Sequence, residues 1–77
     1  MKMEQKQYKL VVETTKKDNK YHHNIERSGD IDDEIKHHFD MESERLPIFH
    51  ELSLEGKAIG SKMTTVITEE GYQTTSD

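Results

Sequence analysis

Two alternating runs joined by a short polar turn constrain this chain more than any other feature. In "YKLVVETT", residues 8–15, Tyr8, Leu10 and Val12 fall on one side, with Lys9 and Glu13 opposite. Successive side chains of a strand point to opposite faces, so this period of two predicts a strand over residues 6–15. "KYHHNIER" repeats the pattern and groups Tyr21, His23, Ile25 and Arg27. Between the runs, "KKDNK" supplies Asp18-Asn19, residues suited to a hairpin turn. The expectation is an antiparallel hairpin with one apolar face.

"SGD" at residues 28–30 ends the second strand. Ser28 or Asp30 can cap a helix, and Asp32, Asp33 and Glu34 then fall in its first turn, where acids complement the exposed N–H groups. Ile31, Ile35, His38 and Phe39 share one helical face. This spacing predicts an amphipathic helix of about three turns that ends near residues 41–44. Pro47 pushes Leu46 toward extended geometry. Beyond it, Ile48, His50, Leu52 and Leu54 alternate with Phe49, Glu51, Ser53 and Glu55, which predicts a third strand. Gly56 marks a turn. "AIGSKMTTVITEE" then reads as a fourth strand with Met63, Thr65 and Ile67 on one face and a bend at Gly60. Gly71 either turns the chain into a short fifth strand at Tyr72–Thr74 or opens a polar tail.

The expected fold is therefore α+β, in the order β-β-α-β-β: a small antiparallel sheet with one amphipathic helix on one face. A single domain over residues 6–72 is expected, with residues 1–5 and 73–77 disordered.

The core must be thin. The chain has 77 residues and is 30% hydrophobic. A domain of about 60 residues buries only about 60% of its unfolded surface. Oligomerisation is one remedy for a small core, so a homodimer is expected. Cysteine is absent, which rules out disulfides and thiolate metal ligands and fits a reducing compartment. No apolar run of signal-peptide or membrane-spanning character is present, and a cytoplasmic location is expected.

Charge is uneven along the chain. Residues 1–29 carry seven Lys/Arg and four Asp/Glu, whereas residues 30–77 carry four and twelve. The net charge of −5 makes nucleic-acid binding unlikely, because phosphate contacts need clustered basic groups. Seven acids and one lysine fall within residues 30–44. Crowding like charges on one helix destabilises it unless something offsets them. A solvated surface explains this stretch simply. The functional alternative is a contact face for a protein partner, formed by Asp32, Asp33, Glu34, Lys36, His37 and Asp40; "KMTTVITEE" offers a second contact if it is an edge strand, and none of this kind if it is a central one.

Five histidines in one short chain raise metal binding as the alternative. Adjacent histidines in a strand diverge, and adjacent helical ones stand about 100° apart, so neither His22-His23 nor His37-His38 chelates readily. A site would need His38, His50 and His23 to converge from different elements. The simpler account leaves His38 and His50 at the edge of a small core. No cofactor motif appears: in "GKAIGSK" the glycines are spaced wrongly for a phosphate loop and Ser61 precedes Lys62. No catalytic pattern is present, and a non-enzymatic protein is expected. In general character the chain resembles the small acidic accessory proteins of bacteria and their phages. That resemblance rests on no family motif and transfers no residue role.

Overall fold

The structure is a computed structural model that describes residues 7–77. The disorder expected over residues 1–5 lies outside the described residues. In chain order the elements are β1 (Tyr8–Lys16), β2 (Tyr21–Gly29), α1 (Asp33–Leu54), β3 (Lys62–Thr68) and β4 (Gly71–Ser76). The strands form one antiparallel sheet in the order β2-β1-β3-β4, and α1 packs on one face. The α+β class and the β-β-α-β-β order are as the sequence suggests.

One expected strand, however, is absent. Residues 48–55 do not form a strand, because α1 continues through Pro47 to Leu54. The residues α1 buries are Phe39, Leu46, His50 and Leu54, at spacings of seven, four and four. Residues four apart share a face in a strand as well as in a helix, so His50 and Leu54 fit either period. The sheet decides the matter by offering α1 a continuous inner surface. Pro47 has no N–H to give to the carbonyl four residues back, a loss of about 3 kcal/mol in a helix interior. Burying Leu46, His50 and Leu54 offsets it. The last strand is real and longer than expected: β4 runs to Ser76, so the tail from residue 73 is not disordered.

The β1–β2 hairpin is antiparallel, as expected, and pairs Leu10 with Arg27, Val12 with Ile25 and Thr14 with His23. Its turn closes by a hydrogen bond from Lys17 N–H to the Lys20 carbonyl. No non-glycine residue takes positive φ among those described, so Asp18-Asn19 turns the chain without left-handed geometry. At the other end of β2, Gly29 has φ +95°, and a Cβ there would lie 1.8 Å from the Gln7 carbonyl oxygen. Only glycine fits. The neighbouring Asp30 N–H uses this close approach to bond the same oxygen.

The helix cap falls on Asp32 and not on Ser28 or Asp30. Its carboxylate accepts the Ile35 N–H at 2.9 Å, and Asp33 and Glu34 follow in the first turn. No basic residue lies in the last turn. Lys16 of β1 supplies the missing charge instead: its Nζ donates to the carbonyls of Leu54 and Lys57.

The apolar core joins Leu10 and Val12 of β1, Phe39 and Leu46 of α1, and Ile67 of β3. Tyr8, Ile31 and Ile35 pack around it, and the Tyr8 and Phe39 rings meet edge-on at 5.5 Å. Among the described residues, no helix is long and apolar enough to cross a membrane.

Candidate functional site

The apolar core occupies only one half of the space between helix and sheet. In the other half, the inward positions are Thr14 on β1, His23 on β2, Thr65 on β3 and Thr74 on β4, with His50 above them on α1. His50, Thr14 and Thr65 are buried. The six side chains Glu51, His23, Thr14, His50, Thr65 and Thr74 form one unbroken hydrogen-bond chain. Its steps are Glu51 Oε2 to His23 Nε2 at 2.6 Å, His23 Nδ1 to Thr14 Oγ1 at 2.8 Å, and Thr14 Oγ1 to His50 Nδ1 at 3.0 Å. They continue from His50 Nε2 to Thr65 Oγ1 at 2.7 Å and from Thr65 Oγ1 to Thr74 Oγ1 at 3.1 Å.

The chemistry of each group fixes the direction of donation. An ionised carboxylate only accepts, so His23 Nε2–H donates to Glu51. In a neutral ring the other nitrogen is an acceptor, so His23 Nδ1 receives the Thr14 hydroxyl hydrogen. The Thr14 oxygen then accepts from His50 Nδ1–H. His50 Nε2 accepts from Thr65, and Thr65 accepts from Thr74. With both rings neutral, every bond is made. Among the described residues, no buried side-chain nitrogen or oxygen lacks a partner. Burial holds the His50 pKa below its ordinary value, and the charge of protonated His23 adds to that.

Glu51, His23 and Thr14 have the order of an acid, a base and a hydroxyl nucleophile. The Thr14 hydroxyl, however, is fully buried under α1, with its hydrogen and oxygen both engaged. The geometry offers no path for a substrate to that oxygen.

A second cluster ties β4 to the helix. Tyr72 O–H donates to Glu42 at 2.7 Å and accepts from His38 Nε2 at 3.1 Å. Arg45 pairs with the same carboxyl at 2.6 Å. Burial pushes the Glu42 carboxyl up, but the Tyr72 and Arg45 hydrogen bonds and the Arg45 and His38 charges outweigh it and leave its pKa lowered. Burial and the bond to Glu42 raise the Tyr72 pKa.

The histidines suggested for a metal site are thus split between the two clusters. His23 and His50 both bond Thr14, whereas His38 serves Tyr72. Among the described residues, no group of three His, Asp or Glu side chains is placed to hold a metal ion. The residues suggested for a partner face are also divided. Asp33, Glu34, Lys36 and His37 are exposed. Asp32 is the helix cap, and Asp40 is paired with Arg27 of β2 at 2.7 Å.

The sequence reading missed the most exposed part of that face. Met41, Ile48 and Leu52 are 58%, 63% and 66% exposed, and Phe49 beside them is 44% exposed. At spacings of seven and four, Met41, Ile48 and Leu52 line the side of α1 opposite Phe39, Leu46 and His50. Reading residues 48–55 as a strand concealed this stripe. A helical reading of the same residues would have found it.

Comparison with protein-family models, with curated proteins and with solved structures finds no match. The functional reading therefore rests on the geometry alone.

Proposed function

We propose that this protein is a non-enzymatic interaction module that binds a macromolecular partner and modulates it, for example by inhibition, through the outward face of α1. The observation that carries this reading is the apolar stripe Met41, Ile48 and Leu52 on a helix whose opposite side already packs on the sheet. Large apolar side chains exposed along one face of a helix mark an interaction surface, and here the exposed Glu44 and Arg45 stand between Met41 and Ile48. Acids frame it: Asp33 and Glu34 at the helix start, Glu44 along its length and Glu55 at its end are all exposed. The matching partner surface is an amphipathic helix with an apolar stripe and a basic rim. Two copies of this face would bring like charges together, so it does not serve self-association. The run "KMTTVITEE", expected to offer a free edge, forms β3 inside the sheet between β1 and β4, so we assign the homodimer instead to the free edge of β4, which carries no charge from Tyr72 to Ser76 and can pair with its own copy. The cysteine-free composition fits work in the reducing cytoplasm.

The test uses a synthetic Leu/Lys amphipathic peptide of about 20 residues, long enough to span the helix face. Titration calorimetry should show saturable binding. The triple variant Met41→Ser, Ile48→Ser, Leu52→Ser should bind at least about tenfold more weakly, a loss of about 1.4 kcal/mol, with an unchanged melting temperature. Undiminished binding by that variant rejects the apolar stripe as the contact.

A further inference from the structure

The polar chain beneath α1 has a second arrangement in which every bond is again made. Each link between Glu51 and Thr74 is a histidine ring or a hydroxyl, and each of these groups can both donate and accept. In the arrangement described above, donation runs from Thr74 toward Glu51. Suppose His23 takes a proton on Nδ1. That nitrogen becomes a donor and Thr14 must accept from it. If His50 kept its hydrogen on Nδ1, Thr14 would face two donors, and its own buried hydrogen would have no acceptor. The conflict disappears if His50 carries its hydrogen on Nε2. Thr14 then donates to His50 Nδ1, His50 donates to Thr65, and Thr65 donates to Thr74.

We propose that these six residues form a reversible proton relay: one proton gained at His23 inverts donation along the whole chain and moves the His50 hydrogen from Nδ1 to Nε2. A single concerted shift connects the two arrangements, and its atoms balance. A solvent proton arrives at the Thr74 oxygen, and the Thr74 hydrogen passes to Thr65. The Thr65 hydrogen passes to His50 Nε2, the His50 Nδ1 hydrogen to Thr14, and the Thr14 hydrogen to His23 Nδ1. One proton enters at the edge of β4 and one positive charge rests at His23 beside the Glu51 carboxylate. No heavy atom need move, because all five spacings already lie between 2.6 and 3.1 Å.

Groups from all five elements face the polar chain. α1 faces His23 with the Glu51 carboxylate, which compensates a positive ring, and with His50, whose burial disfavours a charge of its own. β1 contributes Lys16 on the same face, with its ammonium held at the helix C-terminus by Leu54 and Lys57. β2 contributes Tyr21 at the hairpin end. β3 places Thr65 on this face, and β4 places Thr74 there and Tyr72 further along, committed to Glu42 and His38. His23 is the group on β2, at one edge of the sheet, and Thr74 belongs to β4 at the other. The relay therefore turns the Thr74 hydroxyl from an inward to an outward donor when His23 is protonated on the far side of the molecule.

Long-range proton–nitrogen NMR of the histidine rings in the full chain tests this, from about pH 8 to pH 5, the range in which histidine titrates. We expect His50 to change from the Nδ1–H to the Nε2–H tautomer, without becoming doubly protonated, at the same midpoint as His23 protonation. Thr14→Ser should preserve the shared midpoint, and Thr14→Val should separate the two rings. The relay is overturned if wild-type His50 keeps its Nδ1 hydrogen throughout the His23 titration. It is equally overturned if His50 takes a second proton in step with His23, or if Thr14→Val leaves the coupling intact. Should Thr14→Val not fold, the wild type and Thr14→Ser decide the matter alone.

Discussion

The two halves of the layer beneath α1 are built on opposite rules. Around Phe39, the half formed by Leu10, Val12, Leu46 and Ile67 is held by apolar burial, which is additive and has no direction. Around His50, the half formed by Thr14, Thr65 and His23 is held by hydrogen bonds whose donors must alternate correctly. Equal exposure conceals the difference, since Phe39 and His50 are both fully buried. The comparison shows that a chain poor in apolar residues can still close a core, provided its polar groups satisfy one another completely. It also separates the ways in which each half fails.

The apolar half should fail hardest. Phe39→Ala removes the largest core side chain and should lower stability by about 3–5 kcal/mol, read from urea unfolding. Small domains hold only about 0.05–0.15 kcal/mol per residue, so much of the fold's stability would go with it. A loss below about 1 kcal/mol would mean that the site collapses freely, and the contrast between the halves would weaken.

In the polar half the effect should be smaller and reversible by design. Thr65→Val leaves His50 Nε2 buried without a donor and should reduce stability by about 1–3 kcal/mol. The triple variant Thr14→Val, His50→Leu, Thr65→Val removes the buried polar groups together. It should recover most of that loss in the same unfolding measurement, because replacing both partners by apolar groups is close to neutral. A triple variant less stable than Thr65→Val would show that the polar chain is worth more than apolar packing of the same shape.

The smallest effect is on pH dependence, to which His50 of the polar half and Glu42 and Tyr72 of the second cluster contribute. Because the folded His50 pKa lies below its ordinary value of 6.5, the unfolded chain binds the proton first as pH falls. Stability should therefore decline below about pH 6.5. Glu42, lowered from 4.5, contributes stability that is present above that value and is lost as pH falls through its folded pKa. Tyr72 is raised from 10.0, so its contribution fades above about pH 10 as the unfolded phenol ionises. Melting temperatures across this range should show a plateau between the His50 and Tyr72 limits. In His50→Leu the decline that begins near pH 6.5 should shrink.

The sequence revealed what local chemistry controls. The β1–β2 hairpin, the inward set Tyr8, Leu10 and Val12, and the acidic helix start could all be read from alternation and turn residues. What escaped was decided by packing. His50 and Leu54 fit a strand and a helix equally, and Pro47 argued for the wrong one, so the second half of α1 was lost. With it went the stripe Met41, Ile48 and Leu52 and the contact of Glu51 with His23. The polar chain was illegible for another reason: its six members come from five elements, and only the registers of β1 against β2 and β3, and of β3 against β4, bring the strand members into line. Of the three histidines suggested for a metal, His23 and His50 meet across Thr14, whereas His38 bonds Tyr72 in the second cluster.

The position of β1 sets the order in which the molecule can assemble. β1 lies between β2, its neighbour in the chain, and β3, which follows only after the whole of α1. The β1–β2 and β3–β4 hairpins close short loops and can form within about 1–10 μs on their own. Joining them requires Thr15 to meet Lys62, and loop-closure entropy must be met before that contact gives anything back. Folding rate should therefore depend on the central seam, where Val12 faces Thr65 and Leu10 faces Ile67, and hardly at all on the outer strands. The two hairpins are local units, and α1 is the tether between them.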